Sequence, residues 1–172
     1  MTGLHNNMDW LPPLRKPRKA KVKKVVSSTW KVRYEKSYQA NYQREYPQAY
    51  KDHGYINTTF PDVRKANGLT QAIVKFLLWE GHRATRVASS GRIIEGKYIP
   101  GTTHKGAADI SATVKGRSVM LEIKIGSDRA SEYQLREQQL ERKAGGCYEF
   151  IRTMEEFFLW YDGFILSLGT NR

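Results

Sequence analysis

A single cysteine, Cys147, among 172 residues excludes any internal disulfide, and with only four scattered histidines the chain has no zinc-ligand spacing. Cys147 lies in a short apolar run and reads as a buried structural thiol, not a nucleophile. No apolar stretch is long enough to span a bilayer. No signal-peptide core is visible either, because the N-terminus breaks into charges and prolines almost at once. A membrane partner is therefore not expected, and a reducing cytoplasm is the expected location. The small-residue loop Gly101-Thr102-Thr103-His104-Lys105-Gly106 lacks the G-K-[ST] ending and the following helix of a nucleotide-binding Walker loop. No internal repeat is visible, and the length allows one domain of modest size with an appendage.

Acidic residues are also scarce, 17 against 29 Lys and Arg, for a formal net charge of +12. The excess is uneven. Residues 1–60 hold 12 Lys or Arg against 4 Asp or Glu, whereas 61–172 hold 17 against 13. Seven basic residues, Arg15, Lys16, Arg18, Lys19, Lys21, Lys23 and Lys24, crowd one ten-residue run beside Pro12, Pro13 and Pro17, which describes an extended arm. Such an arm binds polyphosphate by counterion release, with DNA the expected partner; the bland alternative is a solubilising tail. Tyr34, Tyr38, Tyr42, Tyr46 and Tyr50 follow at four-residue spacing, a slowly drifting helical stripe. A helix over about Tyr34 to Glu45 is expected, with a looser continuation past Pro47 to Tyr55. The stripe either packs on the chain's own surface or meets bases, a protein partner or a second copy of the chain. Trp30 and Val32, with Val22, Val25 and Val26, are expected to add a docking strand. Phe60-Pro61 reads as the boundary between this Tyr-rich extension, 1–60, and a domain over 61–172.

The stretch Gly106 to Lys124 carries the chemistry. Ile110, Ala112 and Val114 alternate with Asp109, Ser111 and Thr113, and Val119, Leu121, Ile123 and Ile125 with Met120, Glu122 and Lys124. A two-residue loop at Lys115-Gly116 pairs Val114 with Arg117 and sets Asp109 opposite Glu122. A one-residue slip would send Asp109 to the other face. Two carboxylates about 5 Å apart repel by a few kcal/mol at an effective dielectric of about 20. A divalent cation offsets that repulsion, and Mg²⁺ suits one or two carboxylates completed by water and phosphate oxygens. Lys124, beside Glu122, is placed to stabilise negative charge developing on a phosphodiester. The competing reading is a solvated hairpin face with ordinary charges.

These residues, Ala107-Ala108-Asp109, then Glu122-Ile123-Lys124 after a hairpin, then a helix with Gln134 and Gln138 ending at Ala144-Gly145-Gly146, resemble the PD-(D/E)XK nuclease superfamily. The likeness is closest to its VRR-NUC branch, often found in phages and prophages, and covers roughly Asn67 to Tyr161. It implies a restriction-endonuclease-like α/β sandwich and a nuclease hydrolysing DNA, branched or junction DNA included, in a bacterial host cell. It implies Asp109 and Glu122 as ligands of Mg²⁺ or Mn²⁺, with the Ile123 carbonyl as an additional one. Lys124 becomes the catalytic lysine and Gln134 the helix glutamine that supports the site. Ala108 stands where the pattern has proline, and Gln71 where the first helix often carries an acid.

The remaining elements fit one architecture. A helix opens at Gly68-Leu69-Thr70 and ends at Gly81, and His82 to Ser89 forms a strand with Arg83 and Arg86 as surface charges or phosphate contacts. Arg92 to Pro100 forms an extra hairpin around Gly96. The loop before Asp109 brings His104 and Lys105 near substrate, Lys105 as a nucleic-acid contact. Ser127 to Lys143 is expected as a helix, Cys147 to Ile151 as a strand, and Thr153-Met154-Glu155-Glu156 as the capping box of a final aromatic-rich helix. Together they give a mixed sheet flanked by helices with the hairpin at its centre. A non-catalytic nucleic-acid-binding or virion-assembly protein that keeps this fold is the alternative of a different class.

Overall fold

The computed structural model of the chain describes residues 29–87, 92–94, 96–99 and 105–169. The basic run of Arg15, Lys16, Arg18, Lys19, Lys21, Lys23 and Lys24, the valines Val22, Val25 and Val26, and His104 lie outside the described residues. The elements are α1 (Thr29–Glu45), α2 (Pro47–His53), α3 (Ala66–Trp79), β1 (Arg83–Arg86), β2 (Arg92–Ile94), β3 (Lys97–Ile99), β4 (Ile110–Val114), β5 (Arg117–Ile123), α4 (Glu132–Lys143), β6 (Cys147–Ile151) and α5 (Met154–Gly169).

Four strands form a mixed sheet in the order β1-β4-β5-β6, so the hairpin of β4 and β5 is central, as its alternation implies. β1, β4 and β5 pair antiparallel, and β6 runs parallel to β5 with Val119 opposite Cys147 and Ile123 opposite Ile151. A parallel neighbour needs a crossover, and α4 supplies it. β2 and β3 form a separate two-stranded hairpin around Gly96. The protein is thus an α/β fold with a four-stranded mixed sheet flanked by helices.

Period two sorts the two sheet faces. Ile110, Ala112, Val114, Val119, Leu121 and Ile123 are buried on one face, in a cluster with Leu69, Ile73, Phe76 and Leu77 of α3 and Phe157 and Tyr161 of α5. Each large apolar side chain fully buried there contributes about 1.5–3 kcal/mol. The opposite face carries Asp109, Ser111, Met120, Glu122 and Tyr148 and is covered by α4.

α1 begins five residues earlier than the tyrosines alone indicate, and Trp30 and Val32 lie on this helix, not on a strand. Trp30, Tyr34 and Ser37 fall on one helical side at spacings of four and three, and all three are buried. Trp30 and Tyr34 join the same apolar cluster as α3, β4, β5 and α5, and the Tyr34 ring lies 4.8 Å from that of Trp79. Farther along, the Tyr38 ring lies 5.0 Å from that of Trp79, and Tyr42 packs against Tyr46 and Tyr50, but Tyr46 is exposed, so the first part of the stripe packs into the chain and the rest packs mainly on itself. Pro47 sits at the first position of α2, where its missing N–H costs nothing, so the continuation past Tyr46 is a regular helical turn.

Candidate active site

Lys115 and Gly116 both adopt positive φ, 48° and 81°, as the two central residues of a type I′ turn require. That turn pairs Val114 with Arg117, and the ladder then runs without a slip to Ile110 opposite Leu121. Beyond this pair the strands part. Asp109 keeps its main chain on β1, where its carbonyl accepts the Val87 N–H at 2.8 Å. Its side chain replaces the lost ladder bond to β5: Oδ2 accepts the Ile123 N–H at 2.9 Å. The N–H and carbonyl of one strand residue point to the same side, so the Ile123 carbonyl is also directed toward the gap beside Asp109. On the other side of β5, the Lys124 N–H donates to the Ile151 carbonyl at 2.9 Å.

Glu122 and Lys124 are each only 5 % exposed although both are charged types, so each needs a partner. Lys124 Nζ lies 3.3 Å from Glu122 Oε1 and 3.5 Å from Asp128 Oδ2. Glu122 Oε1 also accepts from Gln134 Nε2 at 2.5 Å. Gln134 is thus held at both ends of its side-chain amide, because Oε1 accepts the Ser131 N–H at 2.9 Å, and its backbone N–H donates in return to Ser131 Oγ at 3.3 Å. This reciprocal capping box starts α4 at Ser131, not at Ser127, and it aims the glutamine at the acid. The turn that carries Asp128 is clamped by Arg152, which donates to the carbonyls of Gly126 and Asp128 at 3.3 and 3.1 Å. Tyr148 closes the floor of the site and donates its hydroxyl to the Gly106 carbonyl at 3.2 Å.

Burial pushes the Glu122 carboxyl up from 4.5 to about 7, and the Asp109 charge adds to the rise against the opposing pull of Lys124. The Tyr148 phenol is raised as well, first by burial and then by the charges of Glu122 and Asp109. Burial lifts the Cys147 thiol to about 11, which removes it as a nucleophile at neutral pH.

Asp109, Glu122, Ile123, Lys124 and Gln134 are therefore brought together at one end of the central strands. Gln71 is exposed on α3, in a groove on the opposite sheet face, and among the described residues no cluster of three or more His, Cys, Asp or Glu is arranged to hold a metal ion. Two carboxylates and one carbonyl still fit an ion that keeps several waters, and the repulsion between the Glu122 and Asp109 charges is what such a cation would offset. Lys105 stands 5.2 Å from the Tyr133 ring centroid, on the α4 flank of the loop that enters β4. Arg86 donates to Asn67 Oδ1 at 2.7 Å.

Asp128, Ser131, Tyr148 and Arg152 lie outside the acid-and-lysine pattern that marks the site in the sequence. Ser131-x-x-Gln134 is a capping-box pattern and marks both the helix start and the orientation of Gln134. Arg152 and Tyr148 reach the site only through the parallel pairing of β6 and carry no local signal. No family model, curated protein or solved structure matches this chain.

Proposed function

We propose that the protein is a metal-dependent nuclease of the PD-(D/E)XK type, with a restriction-endonuclease-like core, that hydrolyses phosphodiester bonds in DNA. The observation that carries this reading is a buried Glu122 carboxylate facing Asp109, with Lys124 Nζ 3.3 Å away on the same face. An acid whose ionisation is resisted by burial and by a neighbouring carboxylate is a poor surface charge and a good ligand for a cation. Asp109, Glu122 and the Ile123 carbonyl would hold Mg²⁺ or Mn²⁺. Once bound, the ion supplies Lewis acidity to a phosphoryl oxygen and lowers the pKa of a coordinated water.

The chain's own groups do the rest. Oδ2 of Asp109 is fixed by the Ile123 N–H, so the carboxylate keeps its orientation without a second side chain. Gln134 and Lys124 converge on the same oxygen of Glu122 and leave it little freedom to rotate. The Lys124 ammonium stands where negative charge grows on the phosphoryl oxygens, and Asp128 keeps it in that position in the absence of substrate. The basic run from Arg15 to Lys24 and Lys105 add attraction for the polyanion.

A second reading draws on the acid count. With Gln71 in place of a third acid, a nucleic-acid-binding or virion-assembly protein that retains the fold is the alternative. Purified protein is incubated with plasmid, single-stranded, flap and four-way-junction DNA in Mg²⁺ or Mn²⁺. Wild type is expected to cleave at least one of these, and Lys124→Ala and Asp109→Asn none. Wild type and Lys124→Ala leaving every substrate equally intact would reject the enzyme.

A further inference from the structure

The end of the sheet that holds Asp109 and Lys124 has a second, cationic feature on its other side. A groove of about 470 Å³ is lined by Asn67, Thr70, Gln71, Lys75 and Arg86, with no acidic residue in its wall. Lys75 and Arg86 form no ion pair with an acid among the described residues, unlike Arg33, Arg64 and Arg142, each of which has an Asp or Glu partner. Among the described residues Arg86 makes one side-chain hydrogen bond, to Asn67 Oδ1 at 2.7 Å, and the other donors of its fork have no partner there. Two cations in one concavity without counter-charge raise the local concentration of anions.

The groove adjoins the acid pair through the backbone. Arg86 is the last residue of β1, opposite Ile110, and the next residue, Val87, donates its N–H to the carbonyl of Asp109 at 2.8 Å. Arg86 and Asp109 thus lie at the same end of neighbouring strands, with side chains on opposite faces. A polyanionic strand crossing that end of the sheet meets the acids and Lys124 on one side and the groove on the other.

We propose that this groove is a phosphate subsite, in which Lys75 and Arg86 hold a backbone phosphate flanking the scissile one. The inference rests on the nuclease reading and deepens it. The groove sets the direction in which the strand leaves the site, and it reads backbone charge, not sequence. Arg86 supplies the directional fork and Lys75 a point charge.

The test uses the full chain and a short fluorescein-labelled single-stranded deoxyoligonucleotide, with binding followed by anisotropy over a salt series in chelator, so that nothing is cleaved. Lys75→Ala/Arg86→Ala is compared with Arg117→Ala/Lys143→Ala, which removes the same charge near the hairpin turn at the far edge of the sheet. The groove pair is expected to weaken binding roughly tenfold at low salt and to lower the slope of log K against log salt by about 1.4, whereas the distant pair changes the slope far less. Arg86→Lys and the single Lys75→Gln, checked by thermal melting, cover the case in which the double variant does not fold; each should lose part of the affinity. Equal losses from both pairs, or none from the groove pair, would overturn the subsite. A cleavage arm in Mn²⁺ separates this from failure of the parent reading: cleavage with groove-independent binding rejects the subsite alone. Groove-dependent binding with no cleavage of any DNA rejects the nuclease and, with it, the scissile neighbour of that phosphate.

Discussion

Replacing Glu122 by Gln should change the pH dependence of stability in a direction opposite to that of most carboxylates. Acids paired in a folded protein usually have lowered pKa values, so they add stability as pH rises. Glu122 is the reverse case, raised from 4.5 to about 7. Its favourable contribution is complete below pH 4.5 and is lost as pH climbs through 7, because the folded state holds the proton more tightly than the unfolded chain does. At about 1.4 kcal/mol per pH unit, the full rise sets a ceiling of about 3 kcal/mol. Coupling to the Asp109 and Lys124 charges divides that ceiling among several groups, and the expected pH-dependent part is about 1–2 kcal/mol.

Gln has no proton to lose, so the difference in unfolding free energy between Glu122→Gln and wild type should move in favour of Gln by that amount between about pH 4 and pH 8. Urea unfolding in chelator measures it directly, and melting follows with about 2–4 °C per kcal/mol for a chain of this size. Any constant cost of leaving Lys124 with Asp128 as its one acidic partner shifts the whole variant curve and drops out of the comparison. Adding Mg²⁺ at high pH should restore wild type and leave the variant unchanged, because an ion that binds only the folded state stabilises it by mass action. Parallel curves for the two proteins from acid to alkaline pH would refute the argument, since Glu122 would then titrate alike in both states.

Other perturbations separate the site from its scaffold. Tyr34→Ala should cost about 3–5 kcal/mol in chemical denaturation, because the ring is fully buried. Tyr34→Phe should be neutral or gain about 1 kcal/mol, because the buried hydroxyl has no hydrogen-bond partner among the described residues. Gly68→Ala would set a Cβ 2.1 Å from the Asp62 carbonyl oxygen, so a loss of at least about 1–3 kcal/mol is expected from the backbone shift it forces, read by the same assay. Gln134→Glu retains a good capping-box residue but faces Glu122 with a like charge. It should leave the melting temperature in acid nearly unchanged and displace the pH–rate profile of cleavage to higher pH, and an unmoved profile would count against Gln134 as the residue that positions Glu122.

Much of the central hairpin was legible because its determinants are local. A Lys-Gly turn and strict alternation fix the register as far as Ile110 opposite Leu121, which leaves Asp109 and Glu122 next in line on one face, and the Asp109 carboxylate then holds that end by accepting the Ile123 N–H. Helix starts were less legible. Counting tyrosines finds Tyr34 but not Trp30 and Ser37, which share its buried side of α1, and composition alone runs α4 back to Ser127 although Ser131 and Gln134 cap each other. What no local pattern encodes is the environment that makes Glu122 hold its proton. Hairpin spacing yields two acids and a lysine, which on an open sheet would be ordinary charges. The shift to about 7 arises only when α4 crosses over the face and β6 pairs parallel to β5. That pairing also brings Tyr148 beneath the acids and Arg152 onto the 126–128 turn. The acid pair is thus written in nineteen consecutive residues, but its chemistry depends on contacts made after the chain has gone around α4 and returned. The two can therefore be taken apart by mutation. Arg152→Ala leaves Asp109, Glu122 and Lys124 in register, yet it should loosen Asp128 and, through it, Lys124.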